Sequence, residues 1–296
     1  MTFVHPGRLY LETHKVEAID DVLPYAEFLR AEAGIMGELP VNLDLIREHF
    51  EMPQPLGVSL PNQQALLLDS ESGTILLNLE DPLRRKRFSF AHELVEMLFS
   101  ALPQGNGLVK KPGGFREQRK EKICDLVAAN LLMPPVHIQQ LIKTDGVSFE
   151  TAKLISAQCE VSRTAALVQL ARLSPRKHCV ILWRMKNKPS EIQNAPNDQQ
   201  MSLFDVKSGL PPKKFRVVWS IGGSNTPFIP KDKSTEKGSL VFQAWERDIF
   251  TSGKERMTFN NKTAGWFFSE NMPFENGNER CVISLVEQIS NQVLVE

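Results

Sequence analysis

The segment RRKRFSFAHELVEMLF, residues 84–99, contains residue types whose spacing suits metal-assisted hydrolysis. On an α-helix, residues four apart differ by only about 40° in direction, so His92 and Glu96 would project from one face and share one cation. Glu93 points elsewhere, which suits a carboxylate that contacts a metal's water rather than the metal. The pattern H-E-x-x-E therefore predicts two metal ligands and a general base on one helix.

A plain solvated helix face is the alternative for these three residues, because the strong zinc pattern has a second histidine where this chain has Glu96. Apolar side chains around the motif favour burial instead. They form a stripe at helical spacing, with two further apolar residues beside it: Phe88, Ala91, Val95, Leu98 and Phe99, then Phe90 and Leu94. We therefore expect His92 to lie at the edge of a core.

A second helical segment, EKICDLVAANLLMP, supplies the remaining polar groups. Glu121, Asp125, Ala128 and Leu132 fall on one face of this helix. The small side chains of Ala128 and Ala129 would let it approach the first helix closely. Glu121 is then the predicted third metal ligand, and Asp125 the predicted acceptor for an imidazole N–H.

The elements that must position these residues can be predicted from periodicity and turn residues. We expect a helix over 16–33, a short helix over 40–46, a hairpin over 65–79, and helices over 84–101 and 117–133. Two shorter helices flank the turn at 159–161, and Ser162 is the predicted N-cap of the second of these. That pair has a helix-turn-helix pattern.

The sequence changes character after Pro175. Short β-like runs occur at 179–183, 215–221, 239–245, 265–268 and 281–286, separated by polar or Gly/Pro-containing stretches. The predicted fold class is α+β, with a protease-like domain at 1–147, a helix-turn-helix segment at 148–175 and a β-rich domain at 176–296.

Composition sets outer limits on function. The chain has 296 residues, of which 42% are hydrophobic and 24% charged, which is ordinary globular usage. Lys plus Arg and Asp plus Glu both number 35, so no long-range field attracts the molecule to nucleic acid or an anionic membrane. The four cysteines form no C-x-x-C pair, and no apolar run approaches the roughly 18 residues of a membrane span. We expect a cytoplasmic protein.

The two motifs together resemble those of the ImmA/IrrE metallopeptidases. The resemblance covers roughly residues 20–175 and rests on R-x-R-F-S-F-A-H-E-L, on Glu121 standing thirteen residues before Pro134, and on A-A-N-L-L-M-P. Two positions depart from the family pattern: Glu96 replaces the second histidine ligand, and Asp125 replaces the usual asparagine.

The resemblance implies a zincin-like protease domain, the helix-turn-helix pair and, in one branch of the family, a GAF-like C-terminal sensor domain. It further implies an endopeptidase that cleaves a transcriptional repressor, itself of the helix-turn-helix kind, in a stress or mobile-element response.

Zinc is the expected ion, with His92, Glu96 and Glu121 as ligands and Glu93 as the catalytic base. Mn²⁺ and Fe²⁺ are alternatives, because carboxylate oxygens are harder donors than imidazoles. Since one imidazole and two carboxylates neutralise a divalent ion, its bound water should be less acidic than beside two imidazoles. The sequence therefore predicts a slow enzyme or one with an alkaline optimum.

Two other functions remain open. The chain could be a catalytically weak regulatory module that grips a repressor, DNA or a small ligand without cutting it. Arg163 and Thr164 could contact DNA from the start of the second short helix, although basic residues nearby are sparse and direct DNA binding is the weaker interpretation. The basic cluster at 84–87 fits a solvated helix start, a cleft rim or a surface that attracts an acidic peptide.

Overall fold

A computed structural model describes residues 2–103, 115–193, 211–223, 226, 228–260 and 263–289. The chain divides into two compact units. The first comprises residues 1–146 and 150–169, and the second comprises residues 147–149 and 170–296. The predicted division into segments 1–147, 148–175 and 176–296 remains a prediction.

The N-terminal part of the described chain combines helices with a small mixed sheet. Its helices are α1 (Pro6–Thr13), α2 (Tyr25–Glu32), α3 (Leu43–His49), α4 (Leu83–Ala101), α5 (Phe115–Leu132), α6 (Pro135–Asp145), α7 (Phe149–Gln158) and α8 (Arg163–Leu173). Its strands are β1 (Leu56–Val58), β2 (Ala65–Asp69) and β3 (Thr74–Asn78), in the order β1-β3-β2. β3 pairs parallel to β1 and antiparallel to β2, so the predicted hairpin is confirmed and β2 lies at an edge.

The predicted helix over 16–33 is only partly correct. Residues Ile19–Asp21 form a 3₁₀ turn, and the α-helix begins at Tyr25, directly after Pro24. A proline is tolerated at a helix start but not inside a helix, where it removes a hydrogen bond and clashes with the preceding turn. The predicted short helix lies at Leu43–His49, because the side chain of Asn42 caps it by accepting from the next backbone amides.

The two long helices α4 and α5 pack against each other, as the sequence predicted. Most of the predicted stripe on α4 is buried, with Phe88 half-buried at its edge, and Ala128 and Ala129 of α5 are buried as well. On another side of α4, an ideal Cβ added at Gly7 would lie 2.5 Å from the carbonyl oxygen of Met97. Helix α1 therefore rests on the backbone of the helix that carries the motif.

The second unit contains a five-stranded antiparallel sheet. Its elements are β4 (His178–Lys186), α9 (Pro189–Gln193), β5 (Lys214–Gly222), α10 (Leu240–Arg247), β6 (Thr251–Asn260), β7 (Thr263–Asn276) and β8 (Glu279–Ile289). The strand order is β5-β4-β8-β7-β6. Helices and sheets thus make up an α+β protein, as predicted.

One predicted strand is wrong. Residues 239–245 form the start of α10 rather than a β-strand. Ser239 caps this helix, since its hydroxyl accepts a hydrogen bond from the amide of Phe242, and Val241, Phe242 and Ala244 are buried. Short apolar runs carry little information that separates strand from helix, and here the cap decides between them.

A chain of polar side chains runs through the interior of the second unit. Trp183 Nε1 donates to Ser284 Oγ at 3.0 Å, and Ser284 donates to Asn271 Oδ1 at 2.6 Å. Asn271 Nδ2 in turn donates to Ser269 Oγ at 3.0 Å, and Ser269 donates to Glu255 Oε1 at 3.1 Å. The three middle residues are fully buried, so each depends on these partners for its hydrogen bonds.

The predicted helix pair consists of α7 and α8, and Ser162 caps α8 by accepting from the amide of Ala165 at 3.1 Å. Among the helices described, none has both the length and the apolar character that crossing a bilayer requires.

Candidate metal centre

Helices α4 and α5 bring three of the predicted residues to one place. His92 and Glu96 lie on successive turns of α4, with His92 Nε2 4.0 Å from Glu96 Oε1. From α5, Glu121 Oε2 lies 3.4 Å from the same Nε2 atom. The side chains of His92 and Glu96 are each 15% exposed, whereas that of Glu121 is 48% exposed. The predicted ligands therefore converge, with Glu121 on the outer rim.

Asp125 lies on the opposite edge of the imidazole ring. His92 Nδ1 is 3.1 Å from Asp125 Oδ1, a distance at which the ring N–H donates to the carboxylate. Burial lowers the pKa of His92, but this hydrogen bond and the nearby carboxylates outweigh burial and leave the pKa raised. The contact fixes the tautomer and orients Nε2 toward Glu96 and Glu121.

Glu93 is buried beside these residues, with 8% of its surface exposed. Its carboxyl group accepts a hydrogen bond from the main-chain N–H of Leu67 on β2. Burial raises the pKa of Glu93 to about 7, although the nearby His92 and the Leu67 hydrogen bond act in the opposite direction. A carboxyl group in this state can both accept and return a proton near neutral pH.

Two residues of the site were missed in the sequence, Lys120 and Cys124. Lys120 Nζ lies 2.9 Å from Glu96 Oε2, and Cys124 Sγ lies 3.8 Å from Glu96 Oε1. No spacing within α5 indicated them, because their partner Glu96 lies on the other helix. The positive charge of Lys120 also changes the charge balance of the site. The ligand types alone predicted two carboxylate charges, from Glu96 and Glu121, with no lysine beside them.

The donor set suits a divalent transition metal. Among the residues described, His92, Glu96 and Cys124 form the group whose candidate ligand atoms all lie within 4.8 Å of one another. Imidazole nitrogen, carboxylate oxygen and cysteine sulfur are the atoms through which proteins bind zinc. The residues present therefore fit a metal ion, and Glu121 adds a further oxygen at the rim.

The basic cluster at 84–87 forms contacts within its own unit, although Arg84 and Arg85 are exposed. Each of its four side chains contacts an acceptor: Arg84 contacts Ser156 Oγ at 3.2 Å, Arg85 contacts Asp81 at 3.1 Å, Lys86 contacts the Leu79 carbonyl at 2.8 Å and Arg87 contacts the Val41 carbonyl at 3.0 Å. These bonds hold the first turn of α4 to neighbouring segments, which keeps the motif helix in place.

An α+β domain with two packed helices and an H-E-x-x-E site defines a metallopeptidase-like class of protein. Residues 54–171 match the sequence model of the IrrE N-terminal-like domain family, Peptidase_M78. The chain is also 25% identical over 168 residues to the radiation response metalloprotease IrrE of Deinococcus radiodurans, an alignment that covers 55% of this chain and 50% of that protein. These matches support an assignment of the N-terminal part of the chain to the ImmA/IrrE family, which its motifs predicted.

The matched region spans about half the length of that curated relative. A solved structure described as a Mycobacterium tuberculosis transcriptional regulator is similar in fold, with a TM-score of 0.58 and 12% sequence identity, and the likeness covers 91% of this chain and 88% of that one. At this identity the likeness concerns the fold alone.

Proposed function

We propose that this chain is a zinc-dependent endopeptidase that cleaves a transcriptional repressor. The observation that carries the proposal is the convergence of His92, Glu96 and Glu121 beside a buried Glu93. Structural zinc sites have no need of a buried acid held next to the ligands, whereas hydrolysis needs a group that moves protons.

Different residues would bind the metal ion and transfer the proton. His92 would hold the ion while Asp125 fixes its ring, and Glu96 would hold the ion with one carboxylate oxygen while Lys120 contacts the other. An ion bound there would acidify a water molecule and polarise a substrate carbonyl. The Glu93 carboxylate would take the proton from that water and deliver it to the leaving amine.

Lys120 alters the predicted pH behaviour. A positive charge 2.9 Å from Glu96 offsets one of the two carboxylate charges. The site then has nearly the charge of a family site with two imidazoles and one carboxylate. We therefore propose that activity lies closer to neutral pH than the ligand types alone would suggest.

The edge of the small sheet offers a place for the peptide. β2 is an edge strand whose Leu67 amide contacts Glu93, and its neighbours Leu66 and Leu68 are exposed. An extended segment paired with this edge would have its main chain next to the general base. Such pairing favours a substrate with a flexible, unfolded stretch at the cleavage site.

The second unit fits a regulatory role, and we propose that it is a GAF-like sensor or interaction domain. It contains a cavity of about 660 Å³ lined by Trp183, Glu255 and polar residues of the 233–239 segment. A small ligand bound there would report stress to the protease unit. A helix-turn-helix repressor is the proposed partner, and direct DNA contact through Arg163 remains the weaker hypothesis. We place the protein in the cytoplasm, without a membrane partner.

The test is a cleavage assay with the full chain. Zinc-loaded wild type and Glu93→Gln are incubated with a purified helix-turn-helix repressor encoded beside this chain, and fragments are followed on a gel. Glu93→Gln should lose roughly 10²- to 10⁴-fold in cleavage rate while keeping its zinc. Glu150→Gln, an exposed glutamate on α7 with 85% side-chain exposure, is the matched control and should cleave normally. Fragments from both wild type and Glu93→Gln, or from neither, refute the proposal for that substrate.

The non-catalytic regulatory module is the second candidate, and the Lys120–Glu96 ion pair is the observation that favours it. A lysine that satisfies Glu96 lets the helices pack without any ion. Metal analysis of protein purified without chelators separates the two functions, because a binding module would contain no stoichiometric metal and would still bind the repressor.

A further inference from the structure

Cys124 is a buried sulfur donor inside the candidate metal centre. It lies on α5, three residues after Glu121, and none of its surface is exposed. Its Sγ atom faces Glu96 Oε1 at 3.8 Å and belongs to the group of mutually close donors with His92. Its role differs from that of Glu121, which approaches His92 from the exposed side.

The distances are near those that coordination requires. Zinc binds nitrogen and oxygen at about 2.0–2.2 Å and sulfur at about 2.3 Å, so tetrahedral donors lie roughly 3.3–3.6 Å apart. The separations of 4.0 Å between His92 Nε2 and Glu96 Oε1, and 3.8 Å from Glu96 Oε1 to Cys124 Sγ, exceed that range by well under 1 Å. All three candidate ligand atoms lie within 4.8 Å of one another, so side-chain shifts on the order of 1 Å would bring them to coordination distances.

We propose that Cys124 is a ligand of the metal, bound as a thiolate together with His92 and Glu96. This inference rests on the proposed function, because it concerns the same ion. On binding, the Sγ–H bond is replaced by an Sγ–metal bond and the proton leaves to solvent, with no change in oxidation state. Glu121 then becomes an outer carboxylate that exchanges more readily than the buried donors.

A sulfur donor changes which metals the site prefers. Thiolate is a soft ligand that favours zinc over manganese, whereas a site made only of imidazole and carboxylates discriminates less between them. The proposal therefore predicts that zinc excludes Mn²⁺ from this chain, and that replacing the sulfur narrows this preference.

Another cysteine provides an internal control. Cys159 lies in the same compact unit and is also fully buried. In the described part of the chain, no group of close metal-binding side chains includes it. Cys159→Ser and Cys124→Ser thus make the same chemical change at buried positions, one outside and one inside the site.

The experiment uses the full chain loaded with Co²⁺, which gives a near-ultraviolet charge-transfer absorption when a thiolate binds it. Wild type and Cys159→Ser should show the band, as should Glu121→Gln, and Cys124→Ser should lose it. Cys124→Ser should also bind zinc at least about tenfold more weakly by competition with a chromophoric chelator. Circular dichroism checks that each variant is folded. The wild-type band tests the proposal by itself, even if a variant does not fold.

Cobalt-loaded wild type without the band, or a band that persists in Cys124→Ser, overturns the assignment of Cys124 while leaving the proposed protease intact. A wild-type chain that binds neither cobalt nor zinc refutes the proposed function as well as this inference. The two failures are therefore distinguishable in one set of samples.

Discussion

The contact between Asp125 and His92 offers a quantitative test of the metal centre. The ImmA/IrrE motif that the sequence resembles has asparagine at the position of Asp125, so Asp125→Asn introduces the residue of that motif and removes one negative charge. The amide oxygen can still accept the His92 N–H. The substitution therefore isolates the contribution of charge from that of the hydrogen bond.

The expected magnitude follows from the distance. Asp125 Oδ1 lies 3.1 Å from His92 Nδ1, and the Asp125 side chain is 52% exposed, which calls for full solvent screening. With a dielectric constant of about 80, two opposite unit charges at that distance attract each other by about 1.3 kcal/mol. This energy corresponds to close to a factor of ten in a binding constant. We expect Asp125→Asn to weaken zinc binding by about tenfold and Asp125→Ala by up to about a hundredfold.

The assay is a competition titration against a chromophoric zinc chelator, carried out at one pH for every variant. Asp44→Asn is the matched control, because Asp44 is an exposed acid, 65% exposed, in the same compact unit. Equal affinities for wild type, Asp125→Asn and Asp125→Ala would refute the conclusion that Asp125 supports the imidazole.

Three further predictions concern the packing and charges around the site. Lys120→Met should strengthen zinc binding by roughly tenfold, because it frees the carboxylate of Glu96, while Lys120→Arg should not; the same titration decides. Gly7→Ala should lower the free energy of unfolding by about 1–3 kcal/mol, since its Cβ would meet a carbonyl oxygen of α4 at 2.5 Å. Gly238→Ala, where nothing lies within 4 Å, is its control in urea denaturation. Burial lowers the pKa of His178 below 6.5, so the unfolded chain binds that proton more readily, and stability present above pH 6.5 is lost as the pH falls. His178→Asn should show a smaller loss of urea midpoint between pH 7.5 and 5 than wild type, and an equal loss would contradict this.

Much of the N-terminal part followed from the sequence because its signals are long and periodic. The two helices of the site each run for about five turns, and their apolar stripes fix which faces meet. Once those faces are fixed, spacing alone places Glu121 and Asp125 next to His92. Lys120 and Cys124 could not be predicted as part of the site. Both contact Glu96, which lies on another helix, and no spacing within α5 reveals that contact.

The second unit was harder to predict for a physical reason. Strand β6 alternates between half-buried and exposed positions, but its inward positions include Gly253 and Glu255, so the sequence shows no apolar alternation there. The run at 239–245 is apolar enough for a strand and becomes a helix through its cap. Tertiary contacts thus determine the strand, and a single local hydrogen bond of the cap determines the helix, and the apolar pattern shows neither.

The buried polar chain from Trp183 to Glu255 has a consequence for how the second unit assembles. Side chains alternate between the two faces of a sheet, so shifting β7 by one residue would turn Ser269 and Asn271 to the other face and break the hydrogen bonds from Ser284 to Asn271 and from Ser269 to Glu255. The loss would fall on groups that water cannot reach, so misaligned strands would be strongly disfavoured. The hydroxyls and the amide thus specify the register of the strands, because only one pairing gives all of them hydrogen-bond partners.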